Sequence, residues 1–257
     1  MSLVARRGWW AGGLLALLTV LPLAQGNSAP EFGAARQLYE KRRYTEARVS
    51  FASLAIAEPG NPEVDFYLGR LELWFDEGAS ALARLERAVQ QRPQEARLHN
   101  ALGDAYGLAA QNAGIWAKLG WAKKCLAAYE RAVELEPANA AFRWSLVGYY
   151  CVAPGIAGGS MKKAFAQAVA IQRLDAMAGR IALATLHLAE KNVPAAFAQF
   201  DEALRANPDD FLTLYHIGRC AALSGEQLER GFAALTRCLD LAPPEGDGMP
   251  TRASVLY

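Results

Sequence analysis

Residues 57–93 read AEPGNPEVDFYLGRLELWFDEGASALARLERAVQQRP, and the two prolines Pro59 and Pro93 stand 34 residues apart. Pro137, Pro208 and Pro243 likewise follow apolar helical stretches. A recurring period of this size marks a repeat architecture. Twelve residues before the five prolines stand Ala47, Ala81, Cys125, Ala196 and Gly231, all small. Eight before them stand Phe51, Leu85, Tyr129, Phe200 and Leu235, all large. Five before stand Leu54, Ala88, Ala132, Ala203 and Cys238, mostly small again. Spacings of four and three put these positions on one face of a helix. The small residues let a neighbouring helix approach, and the large ones fill the space between.

A second helix precedes each of these. Its marks are Leu68-Gly69, Leu102-Gly103 with Tyr106, Leu146 with Tyr150, and Ile217-Gly218. A glycine inside a helix costs about 1 kcal/mol against alanine, so it is expected where two helices come close. Each unit therefore reads as two antiparallel helices ended by a proline. Asn61-Pro62-Glu63 and Asn207-Pro208-Asp209-Asp210 supply a capping residue, a proline and acids where helices begin.

The run Asp65-x2-Leu68-Gly69 … Ala81-x3-Leu85-x2-Ala88 … Pro93 is similar to the tetratricopeptide repeat (TPR), with its first aromatic replaced. The resemblance covers nearly all of the chain after residue 27. It implies an all-α, right-handed superhelical solenoid of antiparallel helix pairs. Six units are expected, near 28–61, 62–95, 96–139, 140–176, 177–210 and 211–245. The fourth lacks its proline, and Ala176 stands in its place. The division is a leader over 1–26, a solenoid over 27–245, and a tail over 246–257 that is either a short cap or the start of a seventh unit.

The chain has 27 basic and 26 acidic residues, a net charge of +1, which gives no long-range attraction for nucleic acid or an anionic membrane. Arg6-Arg7, the apolar run Trp9 to Leu21, and Ala24-Gln25-Gly26 read as a secretory signal peptide cut after Gly26. A membrane span needs about 20 apolar residues, more than this run supplies. A retained anchor through an uncleaved leader is the alternative. Export, most simply to the periplasm, is the expectation, and it places the cysteines in an oxidising compartment. Cys125 and Cys151 come level on neighbouring helices, which suits either a disulfide or two small buried residues. No cysteine has the spacing of a metal ligand.

Two segments depart from the repeat. Pro93 and Pro137 are 44 residues apart, so unit three holds ten extra residues, around Asn112 to Lys124. They suit a lengthened second helix. Its Trp116 and Trp121 either cover the edge of the solenoid or form a docking knob. Unit four carries Ala153-Pro154-Gly155-Ile156-Ala157-Gly158-Gly159-Ser160 between its helices. It lacks the spacing of a phosphate-binding loop and reads as a turn needing positive φ, with Ser160 capping the next helix. Both segments resemble parts of exported bacterial TPR proteins with no assigned activity, so no activity carries over.

The three histidines fall in different units without a partner at i+4, and no catalytic or metal-binding motif is present. The chain reads as no enzyme and as needing no cofactor. In a TPR stack the concave surface is lined by the first helices. The resemblance places Phe32, Arg36 and Tyr39 there, followed by Phe66, Tyr67, Arg70 and Trp74. It continues with Asn100, Asp104 and Trp144, and ends with Tyr215, His216 and Arg219. Aromatics with arginines suit an extended-peptide groove. The Lys/Asn/Arg clamp of TPR domains that hold a C-terminal carboxylate is absent, because Phe66 and Arg70, then Asn100 and Asp104, occupy its positions. A protein- or peptide-binding scaffold of the cell envelope is the expected function. Self-association or docking within an envelope complex is the alternative.

Overall fold

A computed structural model describes residues 29–244 and 250–256. The expected leader, and residues 246–249 and 257 of the expected tail, lie outside the described residues. Helices pair along the chain as α1 (Ala29–Glu40) with α2 (Tyr44–Ala57), and α3 (Pro62–Trp74) with α4 (Gly78–Gln91). Next come α5 (Ala96–Asn112) with α6 (Ile115–Leu135), and α7 (Ala140–Val152) with α8 (Met161–Leu174). The last pairs are α9 (Ala176–Ala189) with α10 (Val193–Ala206), and α11 (Phe211–Ser224) with α12 (Leu228–Asp240). A short α13 (Arg252–Leu256) follows, and no strand occurs among the described residues. Each second helix packs on the first helix of the next pair, and the first helices also touch one another along the stack. This is an α-helical solenoid.

The small–large–small face builds its seams. Ala47, Phe51, Ala81, Leu85, Ala88, Ala132 and Cys238 are all fully buried. Three glycines of the first helices receive a side chain of the partner helix, whereas Gly179 of α9 lies against the backbone of Gln172 on α8. A Cβ on Gly69 would lie 2.7 Å from the Leu85 side chain, and one on Gly103 2.5 Å from the Tyr129 ring. One on Gly218 would lie 2.3 Å from Leu235. In units two, three and six the large residue eight places before the proline thus sits in the notch left by the glycine of the first helix.

Polar contacts reinforce the second pair. Asp65, 1% exposed, accepts from Arg87 Nε at 2.7 Å and from Arg84 at 3.2 Å. Arg84 also donates to Glu72 at 2.8 Å. Pairs one, two, five and six turn tightly through a residue at positive φ, namely Arg42, Asp76, Lys191 and Gln227. Pair four runs directly into pair five, and Asp175 does the work of the missing proline by capping α9 through Ala178 N at 2.9 Å. At the far end α13 lies on α12, and Val255 joins the last apolar cluster.

The ten extra residues of unit three lengthen both helices. α5 has 17 residues and α6 has 21, against 13 and 14 in the pair before. In unit four, Gly155–Ala157 forms a single 3-10 turn. Gly158 has φ +94, and a Cβ on Gly159 would lie 1.7 Å from the Ala153 carbonyl oxygen, so both positions require glycine. Ser160 caps α8 by accepting from Lys163 N at 3.4 Å.

Candidate functional site

The expected concave residues separate into two groups. Phe66 is not a surface residue. It lies in the cluster of Leu85, Leu98 and Leu102, with the Arg97 guanidinium over its ring at 4.6 Å. Tyr67 stacks on Phe51 at 4.8 Å and meets the edges of Phe32 and Tyr39. These rings are packing between units. Arg36 is engaged on the surface by Glu40.

Arg70 and Trp74 remain accessible, one turn apart on α3. They share a cleft of about 310 Å³ with Tyr39, Tyr44 and Asp104. Trp74 is 67% exposed, and its ring lies 4.7 Å from that of Tyr44. Arg70 Nε donates to the Tyr39 hydroxyl at 2.8 Å. Asp104 accepts from the Tyr129 hydroxyl at 2.7 Å, and burial pushes its carboxyl above the usual range. One turn away, Asn100 Oδ1 is buried with no hydrogen-bond partner among the described residues. The cleft can therefore stack an apolar or aromatic side chain and offer a guanidinium to a carbonyl or carboxylate. Tyr44 escaped the sequence reading because it starts a second helix. Trp144 on α7, and Tyr215 and Arg219 on α11, do not enter this cleft. Arg219 lies over the Tyr215 ring, and His216 stacks on Phe200.

The two irregular segments meet in a second, larger cleft of about 530 Å³ on the edge that carries the turns within pairs. Its floor is Gly107, Ala110, Cys125 and Ala157, and its rim is Ile115, Leu119, Val152 and Ile156. Ile115, Val152 and Ile156 are 82%, 81% and 76% exposed. Tyr149 ties the parts together, since its hydroxyl lies 2.8 Å from Ala122 O on α6 and 2.7 Å from Ala157 O in the loop. With one proton it donates to one of them at a time. Burial pushes this phenol up to about 12.

The expected docking pair divides here. Trp121 stacks on Tyr106 at 5.8 Å with Lys124 over its ring at 4.6 Å, whereas Trp116, beside Ile115 at the start of α6, is 96% exposed. Cys125 and Cys151 are free thiols, as are Cys220 and Cys238. Cys125 Sγ lies 3.6 Å from where a Cβ on Gly107 would stand, in the apolar cluster it shares with Leu146 and Tyr149 of α7. Burial pushes its thiol up to about 12.

A family model described as tetratricopeptide repeat matches residues 38–105, which span the second half of the first pair, the second pair and the start of α5. Within residues 38–105 the chain matches the tetratricopeptide repeat, and the structure places similar helix pairs on either side. The same TPR fold is found in a thermophilic TPR protein of Thermus thermophilus, with a TM-score of 0.63 and 24% identity over 76% of this chain and 98% of that one. A tetratricopeptide repeat protein of Parabacteroides merdae gives a TM-score of 0.56 at 15% identity, covering 88% and 82%. The C-terminal part of a TPR repeat-containing protein of Cytophaga hutchinsonii gives 0.52 at 13%, covering 81% and 78%. A search of curated proteins found no match. Among the described residues no three His, Cys, Asp or Glu side chains converge as a metal site, and no helix is long and apolar enough to cross a membrane.

Proposed function

We propose that this TPR protein is a non-catalytic scaffold that binds a peptide segment of a protein partner along its concave face. One observation carries the reading. The Tyr39–Tyr44–Arg70–Trp74–Asp104 cleft leaves a large aromatic ring and a guanidinium accessible side by side on the concave face. Exposed aromatics beside arginine are the side chains that anchor interfaces. A stack of rigid helix pairs holds them in place without induced ordering.

Export to the bacterial envelope belongs to the same proposal, supported by Arg6-Arg7, the apolar run to Leu21 and Ala24-Gln25-Gly26. Fractionation of expressing cells with N-terminal sequencing tests it, and full-length chain in the cytosol would contradict it. The scaffold function is tested by capture from envelope extract with the wild type and with Arg70→Ala and Trp74→Ala. A specific partner held by the wild type and lost by both variants is expected. Identical partner sets for all three would overturn the concave assignment.

A further inference from the structure

The edge cleft is distinct from the concave face, and its charge pattern says what would fill it. No acidic residue occurs from 105 to 129 or from 137 to 174, the segments that supply every lining residue. Those segments carry Lys118, Lys123, Lys124, Lys162 and Lys163. Lys118 stands in the cleft wall and Lys123 is exposed farther along α6. The carboxylates just outside are engaged, with Asp104 held by Tyr129, Glu130 by Tyr150 and Glu86 by Tyr106. Asp76 and Glu77 face a separate cleft on the Trp121 side of the α5–α6 pair. Lys124 is held over Trp121 and Lys163 over Tyr150, so the site is an apolar trough free of acids with the Lys118 cation in its wall. Its concave form suits inserted side chains better than a flat lipid surface. Exposed apolar side chains in such a cluster mark interaction sites, and charge of one sign in the wall selects the opposite charge in a partner. We propose that this cleft is a second docking site, and that its occupant is a short apolar segment of a partner protein flanked by acidic residues.

The test is a selection of phage-displayed dodecapeptides on the full chain, counter-selected on an Ile156→Asp, Trp116→Ala variant. Both positions are exposed, so circular dichroism should show the variant folded like the wild type. Enriched peptides should pair large apolar residues with Asp or Glu. Titration calorimetry with a synthetic copy should show affinity falling as salt rises. Lys118→Glu should weaken it by about tenfold, since single exposed ion pairs are worth up to about fivefold and reversal replaces attraction with repulsion. Trp74→Ala should leave it unchanged, which separates this site from the concave one. The proposal is overturned by failure to enrich above the counter-selection, by enriched peptides without acids, or by equal affinity for Lys118→Glu. It is also overturned if light scattering shows a dimer that Ile156→Asp dissociates, or if vesicles of anionic phospholipid bind the wild type and not the Ile156→Asp variant.

Discussion

Replacing two glycines by alanine should move stability in opposite directions. Gly148 lies inside α7, and a Cβ there would meet nothing within 4 Å. Alanine at 148 gains helix propensity alone, about 1 kcal/mol. Gly103 lies inside α5, and a Cβ there would stand 2.5 Å from Cδ1 and Cε1 of Tyr129. Carbon atoms rest about 3.5–4.0 Å apart, so the ring or the helix must give by roughly 1 Å. The ring is pinned by its hydroxyl, which donates to Asp104 at 2.7 Å. Overpacking costs about 1–3 kcal/mol, and loosening that hydrogen bond about 1 kcal/mol more. Against the same propensity gain, Gly103→Ala should lose about 1–3 kcal/mol net. Urea unfolding followed by helical ellipticity gives both values, compared at unchanged m. If Gly103→Ala were stabilised as much as Gly148→Ala, the notch-and-knob account of the seams would be wrong.

Other perturbations have equally definite signs. Asp65→Ala removes a buried carboxylate whose partners have other recourse, since Arg84 keeps Glu72 and Arg87 is nearly half exposed, and should cost about 1–2 kcal/mol in the same assay, while Arg87→Ala leaves that carboxylate buried with only the 3.2 Å contact from Arg84 and should cost about 2–4 kcal/mol. Burial, with the Arg219 charge adding to it, lowers His216 from 6.5 to about 4. The unfolded chain then binds more protons than the folded one between these values. Stability present above pH 6.5 is lost as pH falls towards 4, by about 3 kcal/mol, and His216→Gln should flatten the profile in that window. Titration with Ellman's reagent in denaturant without reductant should find four thiols per chain, whereas two would mean that Cys125 and Cys151 are bridged after all. In the native protein the half-buried Cys151 should react before the three buried thiols.

The repeat was legible because its signals are local. A proline after the second helix, and small and large residues at spacings of four and three, specify which face of that helix is buried, and Ala81, Leu85 and Ala88 are buried as that pattern requires. The concave face was less legible. A residue such as Phe66 lies near the border between that face and the next unit, and what decides its place is Arg97 and Leu98 of the following unit. Trp74 stays exposed because it ends α3, where the next first helix no longer covers it. The edge cleft was hardest to foresee. Ile115 and Ile156 are 41 positions apart, in a helix extension and a 3-10 turn without apolar periodicity. Their juxtaposition comes from two irregular turns falling on the same edge of adjacent pairs. Tyr149, which the repeat pattern does not single out, is the residue that joins them.

The central claim is that this solenoid is a binding scaffold and that its departures from the repeat form a docking site of their own. Hydrogen–deuterium exchange of the full chain, with and without the selected acidic peptide, tests it most directly. Protection confined to residues 107–126 and 149–160 is the predicted result. Protection along α1 and α3 instead, or no change anywhere at saturating peptide, would contradict it.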